Sequence, residues 1–319
     1  MAQLNTAATP PRRILIAGAS GTIGRAVAAR LVADGHRVTA LLRAGSAGAD
    51  LPDLAGAECV LAALDDAPGL ARIMAEAMPD VVISCIASRS GAPQDAQAID
   101  HAANAALLGA AQHAGAQQFI LLSAICVQKP RLAFQHAKLA FEAQLAASGI
   151  GYTVVRPTAF FKSLSGQVAR VKAGKPFLIF GDGTLTRCKP ISDSDLARFI
   201  AGCIDNPAAL GRILPIGGPG PAISLRDQGL MLFELLGMEP RFRSVSPKLF
   251  SYVERVLALG AGVSDWFAEK AEYARIARYY ATESMLVIDP ATGQYSAELT
   301  PEYGGETLRD HYARLIATR

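Results

Sequence analysis

Two stretches of this chain carry residue types that could do chemistry. The first is Gly18-Ala19-Ser20-Gly21-Thr22-Ile23-Gly24. Glycines at these intervals permit a tight turn, close approach of backbone to a diphosphate, and close packing of the helix that follows. Gly18, Ser20, Gly21, Thr22, Ile23 and Gly24 are therefore the candidate dinucleotide-holding residues, with the free amides of a helix start facing the phosphates. About 20 residues further on, an NAD site usually places a carboxylate for the ribose hydroxyls. This chain reads Leu41-Leu42-Arg43 there. A guanidinium is a planar fork of donors that suits the extra phosphate of NADP, so the expected cofactor is NADPH. Arg25, at the start of the first helix, is placed to assist.

The second stretch is Phe134-Gln135-His136-Ala137-Lys138. Short-chain dehydrogenases commonly pair Tyr and Lys as Y-x-x-x-K, one helical turn apart. The tyrosine protonates a substrate oxygen, while the lysine lowers its pKa and holds the nicotinamide ribose. Lys138 is in place here, but phenylalanine occupies the tyrosine position and has no proton to give. Three readings stay open: a binding protein without catalysis, an enzyme with another acid, or an enzyme whose substrate has no oxygen to protonate. Ser123, at the end of a strand, is a candidate hydrogen-bond partner of cofactor or substrate. His136 reads as a helix-surface residue.

Alternating strands and helices must position these residues. The apolar run Ile14–Ala17 precedes the glycine turn, and the helix after it should stop near Asp34-Gly35, where glycine can cap it. Further strands are expected at Val38–Leu42, Cys59–Leu61, Val81–Ile86, Phe119–Leu122 and Tyr152–Val155, separated by alanine-rich helices. Near-continuous apolar strands with helical crossovers imply a parallel sheet covered on both faces. The fold class is thus α/β, a Rossmann-type doubly wound sheet with a C-terminal substrate-binding lobe and its ligand at the strands' carboxyl ends. Beyond Pro157 the rhythm changes. Ser192–Asp195 and Ser224–Asp227 read as acidic capping boxes, with a short strand near Ile213-Leu214 and the loop Gly217–Gly220 between them. A helical region is expected from Pro247 to Tyr280, then a strand at Met285–Ile288 ending at Asp289-Pro290. Residues 12–160 form the expected NADPH-binding domain, and 161–319 a substrate-binding region with elements that return to the core.

Composition narrows the function class. The 319 residues carry a net charge of +3, with 18% charged and 51% hydrophobic residues. No basic nucleic-acid surface or disordered tail follows from that balance. The five cysteines are scattered, and no Cys/His spacing suggests a metal site, so a reduced, cytoplasmic protein is expected. The polar arm Met1–Pro11 lacks an apolar signal core and is too short and too weakly basic for a transit peptide. No apolar stretch approaches the ~20 residues of a membrane span, which leaves peripheral membrane contact open. No repeat or low-complexity linker is present.

Longer blocks carry a more specific likeness. They are Cys85–Gly91 (CIASRSG), Leu122–Pro130 (LSAICVQKP), Phe134–Glu142 (FQHAKLAFE), Val155–Leu164 (VRPTAFFKSL), Phe180–Gly183 (FGDG), Cys188–Ser192 (CKPIS), Leu214–Gly220 (LPIGGPG) and Arg278–Met285 (RYYATESM). From about residue 12 to the end, the chain resembles the NADPH-dependent divinyl chlorophyllide 8-vinyl-reductases, atypical short-chain dehydrogenases of chlorophyll and bacteriochlorophyll synthesis. That family tolerates phenylalanine at the dyad position, so Phe134 fits it. Plant members carry a long transit extension, whose absence here implies a bacterial version from an anoxygenic phototroph. One departure is Ala62-Ala63, where related atypical dehydrogenases often have a Gly-Asp pair against adenine; the adenine pocket stays unassigned.

The resemblance implies addition of hydride and a proton across the 8-vinyl group of a Mg-tetrapyrrole, a small-molecule substrate, with no stable protein partner. Charge left by hydride delivery spreads into the conjugated ring, so no oxyanion stabiliser is needed. The fold must hold the reacting carbons within ~3–3.5 Å, and an acid must protonate the inner carbon. Tyr279, Tyr280, Lys162, Cys126 and water are the candidates for that acid. The expected catalytic set is Lys138, Ser123 and Tyr280. Ala87, Lys138 and Pro157 join the cofactor residues. Phe160 and Phe161 are placed to stack on a flat macrocycle, and Lys162 and Lys189 to meet its carboxylates. An NADPH-sensing regulator and a reductase of another conjugated double bond are the rival functions.

Overall fold

The computed structural model describes residues 10–43, 51–246, 248–258 and 264–317. Most of the N-terminal polar arm, and Pro247 at the head of the expected helical region, lie outside the described residues.

Seven parallel strands form the central sheet, ordered β3-β2-β1-β4-β5-β6-β9. They are β1 (Arg13–Ala17), β2 (Arg37–Leu42), β3 (Glu58–Leu61), β4 (Val81–Ser84), β5 (Gln118–Leu122), β6 (Gly151–Pro157) and β9 (Arg212–Ile216). Alternate residues of β1 supply the two cores. Ile14 and Ile16 face α1 (Thr22–Ala33) and α8 (Asp193–Ala201), through Val27, Leu31, Leu196 and Ile200. Leu15 and Ala17 face α2 (Ala67–Ala77), α4 (Asn104–His113) and α5 (Ala133–Ala146), through Leu70, Leu107 and Phe141. Both layers are filled by buried apolar side chains, which is why the inner strands read as near-continuous apolar runs. Phe119 and Phe141 meet edge-to-face at 5.9 Å and are fully buried; each such side chain contributes ~1.5–3 kcal/mol. The order reverses between β1 and β4, and the glycine turn emerges at that switch point.

The crossover after β4 is irregular. A single turn, α3 (Pro93–Asp95), runs into a π-helical stretch, Ala96–Ala103, before α4. Asn104 relieves the widened turn, donating from Nδ2 to the carbonyls of Ile99 and Asp100 at 3.2 and 3.1 Å. π turns of this kind are frequent at functional sites.

The second half returns to the sheet through α8 and β9, then builds a third core. Short helices α6 (Phe161–Leu164) and α7 (Val168–Lys172) pack with β7 (Phe177–Phe180), α9 (Leu225–Leu235) and α12 (Leu308–Ala317) around Phe177, Phe233 and Tyr312. β7 pairs in parallel with β11 (Phe242–Val245), while β8 (Arg187–Cys188) pairs antiparallel with β10 (Ile223–Ser224). The expected helical region is two helices, α10 (Lys248–Ala258) and α11 (Asp265–Thr282). The strand expected at 285–288 shortens to β12 (Val287–Ile288), paired with β13 (Tyr295–Ser296), because Met285 instead bridges Cys188. Of the two expected capping boxes, Ser224/Asp227 is reciprocal. Ser192 caps α8 alone; Asp195 turns to Arg198 and to the amides of Gly305 and Glu306.

Candidate active site

The glycine turn separates residues the chain itself demands from one it does not. A Cβ on Gly18, which has φ +81°, would lie 2.6 Å from the Cys85 carbonyl oxygen. One on Gly24 would lie 2.2 Å from the Gly18 oxygen, so both glycines serve packing of strand, turn and helix. Gly21 is different. It is exposed, has φ −77°, and its Cβ would meet nothing nearer than 3.3 Å. It is the N-cap of α1, no side chain caps that end, and no acid occupies the first turn. The first-turn amides of Thr22, Ile23 and Gly24 therefore have an opening before them fit for an anion. Ser20 is half-buried beside it and Ala87 is exposed just beyond β4. Arg43 stands exposed at the end of β2, near enough to Asp95 to favour that carboxylate's charge. Arg25 lies 3.8 Å from Asp53.

Lys138 is buried and its Nζ lies 2.9 Å from Asp100 Oδ1. Asp100 sits in the π-helical stretch, also accepts from the Ser88 amide, and leaves Oδ2 without a partner. It was not among the residues expected from the sequence, although a lone acid in an alanine-rich buried helix face is a visible signal. Phe134 packs in a small cluster with Cys126, Leu132 and Ile276. A Cβ on Gly91 would come within 3.2 Å of its ring, so the phenyl fills a space already tight. His136 is exposed. Ser123 donates to Glu142 Oε1 at 2.5 Å, and Glu142 in turn pairs with Arg156. The Ser123 hydroxyl is thus engaged in a buried network beneath the site.

A cavity of 490 Å³ opens beyond the carboxyl ends of β5 and β6. Its walls come from well-separated segments: Ala124–Cys126, Pro157–Phe160, Thr186–Cys188, Ile223 with Gln228, and Tyr280 with Met285. Pro157 and Phe160 line it as expected residues. Phe161 does not: it is 2% exposed, packed at 5.3 Å against His311 in the third core, because α6 turns the two adjacent rings in opposite directions. Lys162 also departs from expectation. Its ammonium reaches back to Thr22 Oγ1 at 2.8 Å, onto the start of α1 rather than into the cavity. Lys189 is buried and paired with Glu302.

The acid candidates separate equally well. Tyr279 is buried and donates to the carbonyls of Cys126 and Lys129 at 2.9 and 3.1 Å, a structural clamp. Cys126 is buried, and burial raises its thiol pKa. Tyr280 is 46% exposed and lines the cavity beside Cys126. Desolvation of its hydroxyl end, then the Cys126 sulfur, push its pKa well above the usual tyrosine value. Glu283 also lines the cavity; burial would raise its pKa, but Lys129, Tyr295 and Arg131 hold it below the ordinary value.

Comparisons with known proteins give the chain's family and fold relatives. A family described as NAD(P)H-binding matches residues 18–207. A divinyl chlorophyllide a 8-vinyl-reductase, chloroplastic, from Oryza sativa subsp. indica is 47% identical over 95% of this chain and 78% of its own. The Zea mays protein of that name is 48% identical over 95% and 79%. Among solved structures, the NADPH-dependent quinone oxidoreductase QOR2 of Escherichia coli, complexed with NADPH, superposes with a TM-score of 0.67. It has 19% identity over 95% of this chain and 99% of that one, a likeness of fold.

Proposed function

The chain belongs to the divinyl chlorophyllide a 8-vinyl-reductases, and from that premise we propose how its residues share the work. It is an oxidoreductase that binds NAD(P)H and reduces the C=C bond of the 8-vinyl group of a divinyl chlorophyllide in chlorophyll biosynthesis. The observation that carries the division of roles is the apolar cavity at the strands' carboxyl ends, with Phe160 on one wall and Tyr280 on another. Residues 12–160 hold most of the dinucleotide, with Lys162 added from the second half, and the substrate cavity is shared between Ala124–Cys126 and Pro157–Phe160 and the residues of 161–319.

The opening before Gly21 fits a diphosphate, and the amides of Thr22 and Ile23 with the Lys162 ammonium supply donors to it. Arg43 selects the 2′-phosphate, which makes the cofactor NADPH. Lys138, held in place by Asp100, binds the nicotinamide ribose, while Ala87 and Pro157 flank the ring. When bound, the cofactor supplies hydride to the outer vinyl carbon, and the conjugated macrocycle takes up the resulting charge. Tyr280 protonates the inner carbon. Its raised pKa keeps the proton in place until that basic carbon demands it. Phe160 lies against the macrocycle and excludes water. Ser123 acts from below, fixing Glu142 and Arg156.

Five free cysteines support a reducing compartment such as the cytoplasm. No helix among the described residues is long and apolar enough to cross a membrane, so a pigment carried at a membrane would be met by surface contact.

Anaerobic incubation with NADPH and 3,8-divinyl chlorophyllide, followed by chromatography, tests the reading. A monovinyl product is expected; unchanged pigment despite tight NADPH binding would point to a sensor instead. Tyr280→Phe should lower kcat about 100-fold with NADPH affinity intact. A kcat unchanged in that variant would assign the proton to water.

A further inference from the structure

Among the residues lining the cavity, only Arg187 and Glu283 carry charge. Glu283 is fully engaged, by Lys129 at 2.7 Å, Arg131 at 2.8 Å and the Tyr295 hydroxyl at 2.8 Å. The Arg187 guanidinium makes neither hydrogen bond nor ion pair among the described residues. Its nearby acid, Asp227, feels the charge, but its Oδ2 is spent on the Ser224 amide and hydroxyl.

The backbone beneath Arg187 is fixed on both sides. Its N–H donates to Ser284 Oγ at 3.0 Å, its carbonyl accepts from Met285 N at 2.9 Å, and it stands opposite Ser224 in the β8–β10 pair. The same residue also lines a neighbouring cavity of 560 Å³ with Lys189, Pro221 and Pro301. The other basic residues expected to meet pigment carboxylates are committed, Lys162 to Thr22 and Lys189 to Glu302. Among the described residues, one guanidinium without a partner thus remains at the cavity, on an exposed residue whose backbone is fixed, while the other charge on the wall, Glu283, is already paired.

We propose that Arg187 binds the free carboxylate side chain of the tetrapyrrole and thereby selects free-acid pigments over their esters. The proposal rests on the reductase reading above. A flat apolar macrocycle in an apolar slot has several rotations of nearly equal energy, and only one presents the 8-vinyl group to the hydride. The carboxylate hangs from a different pyrrole ring, so a forked ion pair at that edge fixes the rotation. Arg187 is therefore a specificity-determining residue that acts on binding and orientation, not on the bond-making step.

The test compares 3,8-divinyl chlorophyllide with its methyl ester in steady-state reduction by the wild-type chain, Arg187→Ala and Arg187→Lys. The wild type should reduce both, with KM for the ester higher by about tenfold or more, the worth of one charge-assisted contact. Arg187→Ala should raise KM for the free acid to that of the ester and leave the ester's kinetics unchanged, which also shows that the variant is folded. Arg187→Lys should recover part of the preference. A free-acid preference that survives in Arg187→Ala, or an equal loss on both pigments, would overturn the proposal alone. Absence of product from the wild type with either pigment would remove the reaction itself, and this proposal with it.

Discussion

The glycine turn and the cavity wall are built on opposite plans. The turn is a site made by subtraction: side chains are absent, backbone amides point outward, and seven consecutive residues contain nearly all of it. The wall is made by addition, from side chains spread between Ala124 and Met285. A site of the first kind tolerates almost no change in backbone, because Gly18 and Gly24 have no room for even a methyl group. A site of the second kind can change its ligand by single substitutions while the framework stays. On the proposed division of roles, the cofactor sits in the part that cannot drift, and the substrate is read by the part that can.

The largest expected effect probes where the two plans meet. Lys138→Ala leaves Asp100 buried without its ion-pair partner, at a cost of about 3–5 kcal/mol. Thermal unfolding should show the loss, and NADPH affinity should fall with it. Lys138→Met combined with Asp100→Leu should regain the stability but not the affinity. Recovery of both would remove Lys138 from the ribose. Next comes a contrast within the turn. Gly24→Ala should destabilise by about 3 kcal/mol, since its Cβ would overlap the Gly18 carbonyl. Gly21→Ala should leave the melting temperature nearly unchanged yet weaken NADPH binding. Equal destabilisation in both would mean that Gly21 serves the fold and not the diphosphate.

A smaller effect is expected at the cofactor's far end. Arg43→Ala should cost about 2 kcal/mol of NADPH affinity and little of NADH affinity, read by fluorescence titration of both. Parallel losses would break the assignment of NADPH to that side chain. The least effect is expected at Phe134. A hydroxyl there has no partner against Gly91 and Ile276, so Phe134→Tyr should cost about 1 kcal/mol and give equal or lower vinyl-reductase activity. A large gain in activity would restore the tyrosine logic of carbonyl reduction.

The sheet was legible because each of β1 to β6 is a local apolar run, and the turn because its spacing is local too. The third core was only partly so. Phe160 and Phe161 are neighbours of one type, and nothing in the sequence says which faces His311, 150 residues away along the chain. Lys189 looked available because Glu302, which takes its charge, is 113 residues distant. Lys162 looked like a substrate residue because its contact with Thr22 spans 140 residues. Long basic side chains settle on whatever oxygen the fold brings near, so their targets emerge only with the tertiary structure. Arg187 is the converse case: among the described residues its guanidinium has no such partner, which only the tertiary structure reveals.

The π-helical stretch at Ala96–Ala103 sets the phase between Asp100 and α4. A π turn is an α-helix that has accommodated one additional residue, with Asn104 acting as the plug for the carbonyls set loose. Asp100, which meets Lys138, lies within that widened stretch just before α4. Deleting one residue between 96 and 103 would let the segment relax to an ordinary helix and swing the acid away by roughly 100°, the angle of a single residue step. The ion pair of Lys138 thus depends on the phase of this helix as well as on the aspartate itself.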